Sequence, residues 1–151
     1  MIVATTSRPT ITLEAATLVL DGAEKAARAQ GVPMVIAIVD PSGVLKAFRR
    51  MDGAALLSVD IAADKAYTAV SFGMPTHAWH DFIKDDPPLL HGIVKTPRLI
   101  VFGGGYPLKL GEAVIGGIGV SGGHYRQDMV VAEAGVQALE AVLRAGDAAP
   151  G

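Results

Sequence analysis

The chain has 151 residues, a length that fits one domain. Thirteen lysines and arginines against 15 aspartates and glutamates give a formal net charge of −2, and no basic run is present, so nucleic-acid binding is disfavoured. The absence of cysteine excludes disulfides, cysteine-ligated zinc and thiolate catalysis. Half of the residues are hydrophobic but only 5% are aromatic, so small aliphatic residues must form both the core and any subunit contacts. We expect a homo-oligomer.

The N-terminal sequence does not resemble a signal peptide, because it contains no apolar stretch of about 7 to 15 residues. The longest apolar run, Pro33 to Val39, is far shorter than a membrane span of about 20 residues. We therefore expect a cytoplasmic protein with no membrane partner. Residues 1–151 are expected to form a single domain whose ordered core covers about 10 to 145.

The first third of the chain is predicted to form a helix and a hairpin. Apolar residues at helical spacing predict a helix that is capped by Thr12 and runs to about Gln30. The apolar run from Met34 to Val39 predicts a buried strand. Asp40 to Gly43 has the residues of a type I turn, so Val44 to Arg50 is expected to pair back onto that strand.

The middle of the chain is predicted to be helical and then irregular. Helical spacing predicts a second long helix from about Leu57 to Phe72. Thr76 is expected to cap a short helix, His77 to Ile83, and the prolines of Asp85 to Pro88 are expected to end it. The segment from there to Thr96 is expected to be irregular.

The last third changes to short apolar runs separated by glycines, a pattern that predicts strands. The runs are Leu99 to Phe102, Tyr106 to Leu110 and Ala113 to Val120, which together suit an antiparallel meander. A final helix is expected from Tyr125 to about Arg144. Because strands are grouped and do not alternate with helices, the sequence predicts an α+β fold. Its single antiparallel sheet is covered by the helices that start at Thr12 and Tyr125.

A glycine-rich loop precedes the last helix and is a candidate binding site. Glycines let the backbone approach a ligand closely, and the unpaired N–H groups at a helix start favour an anion such as a carboxylate. The G-x-G-x-x-G spacing formally fits a dinucleotide fingerprint, but the strand that should follow the helix is missing. The simpler alternative is a strand-to-helix turn in which glycine is needed for a positive φ. The expected binding residues are Ser121, Gly122, Gly123, His124 and Arg126.

Lys65 stands on the apolar face of the second helix, beside Ile61 and Ala62. An ammonium there is costly unless it is paired or extends along the surface to solvent, and the second explanation is the simpler one. A partner such as Asp128 or Asp40 would favour the charged form, so Lys65 could serve as a base or as an anion anchor. Asp128 could equally serve only to complement the helix dipole. The candidate catalytic residues are Lys65, His124 and Asp128.

His77 and His80 lie three residues apart on the predicted short helix, the spacing of two side chains that share a helix face. Two imidazoles at this spacing could bind a metal ion or a haem iron. Alternatively, Trp79 and Phe82 make this an apolar packing helix that carries two solvated histidines. His91 is expected to lie in a surface loop.

Three motifs in order along the chain resemble the GlcG/HbpS family of haem-binding and haem-degrading-type domains. They are Ala62 to Ala69, Gly103 to Pro107, and Gly116 to Gly123 followed by Gln127 and Asp128. The resemblance covers about residues 10 to 145. A related domain forms the C-terminus of PduO-type corrinoid adenosyltransferases.

The resemblance implies a profilin-like α+β fold, a homo-oligomer of about four to eight subunits and binding of haem or a similar tetrapyrrole. We expect the carboxylates of haem to meet the loop before the last helix and Arg126, with an axial nitrogen from His77, His80 or His124. The second hypothesis is a cofactor-free lyase or isomerase that acts on a small carboxylated metabolite in a catabolic pathway. The third is a purely structural oligomeric subunit.

Overall fold

The computed structural model describes residues 1–148, which form one sheet with helices on both of its faces. Two single 3₁₀ turns, Thr76–Ala78 and Ile93–Lys95, flank the two short helices. The elements in chain order are α1 (Leu13–Gln30), β1 (Val35–Val39), β2 (Leu45–Arg50), α2 (Ser58–Phe72), α3 (Trp79–Ile83), α4 (Pro87–Gly92), β3 (Gly105–Leu110), β4 (Ala113–Ser121) and α5 (Tyr125–Ala148).

The sheet has four strands in the order β2-β1-β4-β3, and every neighbouring pair is antiparallel. This confirms the α+β prediction with a single antiparallel sheet. Its centre is made by β1 and β4, where Ala37 lies opposite Gly119, and Gly119 in turn lies opposite Gly105 of β3. The Asp40 turn joins β1 to β2 as expected, since the Gly43 N–H donates to the Asp40 carbonyl at 2.9 Å.

Helices α1 and α5 cover one face of the sheet, which we call the α1/α5 face. Thr12 caps α1 by accepting a hydrogen bond from the Ala15 N–H at 3.1 Å, and the helix ends at Gly31 with a left-handed φ of 70°. The prediction that the helices from Thr12 and Tyr125 pack on the sheet is therefore confirmed. The core on this side is aliphatic, and its sheet residues are Ile36, Ile38, Leu108, Ile118 and Val120.

Helix α2 covers the opposite side, the α2 face, at very short range. A Cβ added at Gly119 would overlap the carbonyl oxygen of Ala62, and one at Gly105 would lie 2.5 Å from the carbonyl oxygen of Lys65. Glycine at these two positions lets the backbone of α2 rest directly on the strands. This contact places the Lys65 side chain at the end of β4.

Several expectations for residues 76 to 102 are wrong. Leu99 to Phe102 form no strand, so β3 and β4 make a hairpin and not a three-stranded meander. The Ile100 N–H donates to the Thr68 hydroxyl at 3.0 Å, which takes a backbone group that a strand would use. Thr76 does not cap a helix, because its hydroxyl accepts a hydrogen bond from the Gly105 N–H at 2.9 Å.

The segment expected to be irregular contains α4 and the 3₁₀ turn that follows it, so His91 lies in a helix. Asp86 caps α4 by accepting a hydrogen bond from the Leu89 N–H, and Pro87 stands at the start of the helix. Proline is favoured there because the first helical N–H has no partner in any case. No helix within residues 1–148 is both long and apolar enough to cross a membrane.

Candidate ligand cleft and the buried Lys65–Asp128 pair

A cleft of about 510 Å³ opens beside α3 and has the size of a small-molecule or cofactor site. One wall comes from the α3 region, the other from the segment before β3 and the first residue of α5. The lining residues are His77, His80, Asp81, Val101, Phe102, Gly103 and Tyr125.

Both histidines that the sequence singled out lie in this cleft, and both are exposed. Trp79, between them in sequence, is fully buried and meets the rings of Phe72 and Phe82 edge-on at 4.9 and 5.9 Å. The indole anchors α3 to the protein, so the two imidazoles face outward. The packing-helix interpretation is therefore correct for Trp79, and the histidines are nevertheless positioned at a cavity.

The opposite wall of the cleft is aromatic. The rings of Phe102 and Tyr125 lie 6.5 Å apart, and both side chains are partly exposed to the cleft. Two adjacent aromatic faces suit a flat, apolar ligand. Neither residue was predicted from the sequence, although an aromatic side chain beside a glycine-rich segment is a usable signal for a ligand contact.

Lys65 is fully buried directly behind Phe102. Its ammonium donates to the Val120 carbonyl at 2.8 Å and to Asp128 Oδ2 at 2.9 Å, and it lies 5.1 Å from the centre of the Phe102 ring. The prediction that Lys65 extends along the surface to solvent is wrong, because a partner at the start of α5 compensates its charge. Asp40, the other partner considered, instead accepts the N–H groups of its own turn.

Burial lowers the pKa of Lys65 from its ordinary value, because desolvation outweighs the charge and hydrogen bond of Asp128, which act in the opposite direction. The second carboxylate oxygen of Asp128 accepts the Gly123 N–H at 3.0 Å. The Lys65–Asp128 pair thus joins α2, the end of β4 and the loop before α5. Neither Lys65 nor Asp128 lines the cleft as the structure stands.

The loop before α5 uses its own side chains to satisfy its N–H groups. Gly123 donates to Asp128, His124 donates to Gln127 Oε1 at 3.0 Å, and Arg126 donates to His124 Nδ1 at 3.1 Å. The Gln127 side chain thus caps the His124 N–H, while the His124 side chain caps the Arg126 N–H in the first turn of α5. These three N–H groups therefore already have hydrogen-bond partners within the chain. Gly122 and Gly123 form the turn from β4 to α5.

The remaining residues of the expected binding set lie at different distances from the cleft. Ser121 is buried at the end of β4, whereas Arg126 is exposed and its guanidinium lies 5.8 Å from the Tyr125 ring. The His124 ring lies 4.1 Å from that same ring. Arg126 and His124 are therefore close to the cleft, and Arg126 carries a positive charge at its rim.

Within residues 1–148, no group of three or more histidine, aspartate or glutamate side chains could hold a metal ion. His77 and His80 alone suffice only for a metal that brings most of its own ligands. Haem iron is such a metal, since the porphyrin supplies four nitrogens and the protein needs to add one axial ligand. The donor set of the cleft fits haem better than a bare ion.

Comparisons with known proteins agree with this chemistry. The family model described as "Haem degrading protein HbpS-like" matches residues 11–137. An uncharacterised 15.0 kDa protein of the dhaT-dhaS intergenic region of Citrobacter freundii is 40% identical over 126 residues, which cover 82% of this chain and 88% of that protein.

Two solved structures have the same fold. The crystal structure of the PduOC–heme complex superposes with a TM-score of 0.79 at 33% identity, over 85% of this chain and 94% of that one. The crystal structure of HbpS superposes with a TM-score of 0.81 at 32% identity, over 89% and 93% of the two chains. The motifs, the fold and these matches together show that the chain belongs to the HbpS-like family.

Proposed function

We propose that the protein binds haem or a closely related tetrapyrrole in the cleft beside α3. The observation that carries the proposal is the position of His77 and His80, two exposed imidazoles on one wall of a 510 Å³ cleft whose other wall contains Phe102 and Tyr125. The heme complex of the related PduOC structure supports the same ligand class.

The residues of the cleft have complementary roles in this proposal. One of the two imidazoles would hold the iron, and the aromatic rings of Phe102 and Tyr125 would contact the flat macrocycle. Arg126 at the rim would bind a carboxylate of the ligand in water-exposed surroundings. Haem would supply a redox-active iron. The loop glycines serve the turn before α5 and not the ligand directly.

The alternative of a lyase or isomerase that uses Lys65, His124 and Asp128 has weaker support. The Lys65 ammonium is bonded to Asp128 and Val120 and is separated from the cleft by Phe102. His124 Nδ1 accepts a helix N–H, so this nitrogen is not free to act as a base. The cleft thus supports ligand binding more directly than it supports catalysis by these residues.

Haemin titration tests the proposal. The single tryptophan of the chain, Trp79, lies between the two histidines in sequence, so haem bound in the cleft should quench its fluorescence while the Soret band saturates. Replacing the ligating histidine by alanine should weaken haemin binding by roughly tenfold or more and shift the Soret band. His91→Ala is the matched control, since His91 is also exposed but does not line the cleft.

Two results would contradict haem binding in this cleft. One is a haemin spectrum without saturation or defined stoichiometry. The other is a His77→Ala/His80→Ala variant that binds haemin as tightly as the unmodified chain, with the same Soret band. In the second case the ligand lies elsewhere on the protein.

We also propose that the protein self-associates, with about four to eight subunits as the resemblance implies. Leu45 and Phe48 of the edge strand β2 are exposed on the side of the sheet that faces α2, and Leu56 and Leu57 before α2 are more exposed still. Exposed large apolar side chains of this kind favour a protein contact. Light scattering at the mass of a single chain in dilute buffer would contradict self-association.

A further inference from the structure

The segment of residues 98–103, which we call the wall segment, contains no helix or strand and yet supplies Val101, Phe102 and Gly103 to the cleft. It starts in a tight turn, in which the Leu99 N–H donates to the Thr96 carbonyl at 3.3 Å. Pro97 and Arg98 are the central residues of this turn, and Arg98 has a φ of 67°. Proline followed by a residue with positive φ is the pattern of a type II turn, where the second position normally requires glycine.

Arg98 is the only non-glycine residue with a positive φ within residues 1–148. A side chain in this conformation strains the backbone, and such strain persists only where the surrounding structure fixes the residue in several ways. Glycine would fill the same turn without strain. The arginine side chain must therefore make contacts that offset this cost.

All of these contacts are with α2. Arg98 Nε donates to Asp64 Oδ1 at 2.8 Å, and the guanidinium lies 3.9 Å from the centre of the Tyr67 ring. The backbone is bound as well, because the Thr68 hydroxyl donates to the Arg98 carbonyl at 2.8 Å and accepts the Ile100 N–H at 3.0 Å. An exposed ion pair or an exposed cation–π contact is weak by itself, so the turn depends on their combination.

The far end of the wall segment also meets α2. Phe102 lies over the ammonium of Lys65, which is the residue after Asp64. A single stretch of α2, from Asp64 to Thr68, therefore contacts both ends of the segment. The position of the Phe102 ring in the cleft follows from where the Arg98 turn attaches.

We infer that Arg98 is a positioning residue for the ligand cleft: its side chain fixes the wall segment on α2 so that Phe102 stands opposite His77 and His80. The inference rests on the proposed haem binding, and it assigns the affinity of the cleft partly to a residue that does not line it. Arg98 acts through Phe102 and has no contact with the ligand.

Arg98→Gly is the informative variant, because glycine accepts the turn conformation while the ion pair and the ring contact are lost. We expect an unchanged fold and a melting temperature close to that of the unmodified chain, because relief of the backbone strain at Arg98 offsets the lost contacts. Amide exchange of residues 100–103 should become about tenfold faster, and haemin should bind about tenfold more weakly with an altered Soret band.

For Arg98→Lys, the exchange rate and the haemin affinity should lie between those of Arg98→Gly and the unmodified chain, because lysine keeps the charge but loses the planar contact with Tyr67. Arg28→Ala, which removes an exposed arginine paired with Glu24, should change none of these values.

The outcomes separate this inference from the proposed function. If Arg98→Gly binds haemin with unchanged affinity and spectrum, the inference is wrong and haem binding stands. A variant that loses affinity only together with its melting temperature and helical signal would show a general structural role, which also overturns positioning. If the unmodified chain does not bind haemin, the proposed function fails and the positioning role fails with it. Amide exchange would then report only whether Arg98 orders the wall segment.

Discussion

The two faces of the sheet are built by opposite means. On the α1/α5 face, branched aliphatic side chains such as Ile38 and Ile118 fill the space between strands and helices. On the α2 face, Ala37, Gly117 and Gly119 leave almost no space, and the helix backbone contacts the strand backbone. The first face gains stability from the apolar area that it buries, and the second gains close and well-defined geometry.

This difference in the space between helix and sheet explains why the buried charge of Lys65 lies on the α2 face. A lysine on the aliphatic face would be surrounded by apolar side chains such as Ile36, Ile38 and Ile118, which cannot compensate its charge. On the α2 face the close approach of the helix brings the Lys65 ammonium within 2.8 Å of the Val120 carbonyl and 2.9 Å of Asp128. A thin layer therefore allows an ion pair beside the cleft, and four experiments test this comparison.

Breaking the buried pair should have the largest effect. Lys65→Met leaves the Asp128 carboxylate buried with only the Gly123 N–H as partner, so we expect a loss of about 3–5 kcal/mol in the free energy of unfolding. Urea denaturation measures it. Adding Asp128→Leu to the same chain should recover much of the loss, because no unpaired charge is then buried. A loss below about 1 kcal/mol, the size expected for the exposed Arg28–Glu24 pair, would contradict a structural role for the buried pair.

Adding a methyl group on the α2 face and on the α1/α5 face should change the free energy of unfolding by different amounts. Gly119→Ala on the α2 face would force the α2 backbone at Ala62 away from β4, so we expect destabilisation of about 1–3 kcal/mol or more. Gly135→Ala on α5 meets the ends of the Ile118 and Val19 side chains, at 2.7 and 3.0 Å, which can rotate away, and the nearest backbone atom is the Val19 carbonyl oxygen at 3.2 Å. Helix propensity favours that change by about 1 kcal/mol, so its net effect should be small. Equal losses for the two variants in urea denaturation would refute the distinction between the faces.

The loop histidine should matter for the helix and not for the ligand. His124→Ala removes the acceptor of the Arg126 N–H, and we expect a loss of about 1 kcal/mol in thermal denaturation. His124→Asn should lose less, since asparagine is a good capping residue. Both variants should bind haemin normally. A normally stable His124→Asn protein that fails to bind haemin would instead identify His124 as the axial ligand.

The smallest expected effect is on stability at alkaline pH, and it involves Tyr106 on the α1/α5 face. Tyr106 on the α1/α5 face donates to Glu133 Oε1 at 2.6 Å, and burial together with this carboxylate raises the pKa of Tyr106 above its ordinary 10.0. A raised pKa means that the stabilisation is complete below about pH 10 and is lost as the pH rises further. Tyr106→Phe should therefore show a flatter decline of stability between about pH 10 and 11.

Lys65 acts in the opposite direction in the alkaline range. Its pKa is lowered, so the folded chain releases this proton first and stability gains from a rise in pH through the interval below 10.5. The contribution of Lys65 cancels when the unmodified chain is compared with Tyr106→Phe. Identical pH profiles for these two proteins would contradict the effect assigned to Tyr106.

Patterns among residues close in sequence were sufficient to predict the main elements of the fold. The helical spacing after Thr12, the apolar run from Met34 and the turn at Asp40 each depend on neighbours in sequence, and each appears in the structure. The strand expected at Leu99 to Phe102 failed because a strand needs a partner, and the competing partner is a side chain on α2, Thr68. Pro87 was interpreted as a helix end although proline also starts helices.

The candidate site could be predicted in part for the same reason. His77 and His80 were found because their spacing is local, and Asp128 was one of two partners considered for Lys65 because a buried ammonium requires a carboxylate. The aromatic wall was missed because Phe102 and Tyr125 meet the histidines only through the fold. No periodicity in sequence reports such a contact.

The close contact at Gly119 also makes the two faces of the sheet differ in the substitutions that they tolerate. Aliphatic residues on the α1/α5 face can exchange with one another at modest cost when their total volume is kept. The spacing between β4 and α2 has no side chain to adjust, since it is set by the backbone around Gly119 and Ala62. We therefore expect substitutions in the aliphatic layer to leave the spacing between α2 and β4 unchanged. The sequence can thus vary on one side of the sheet, while the other side keeps the backbone contact that places Lys65 behind Phe102.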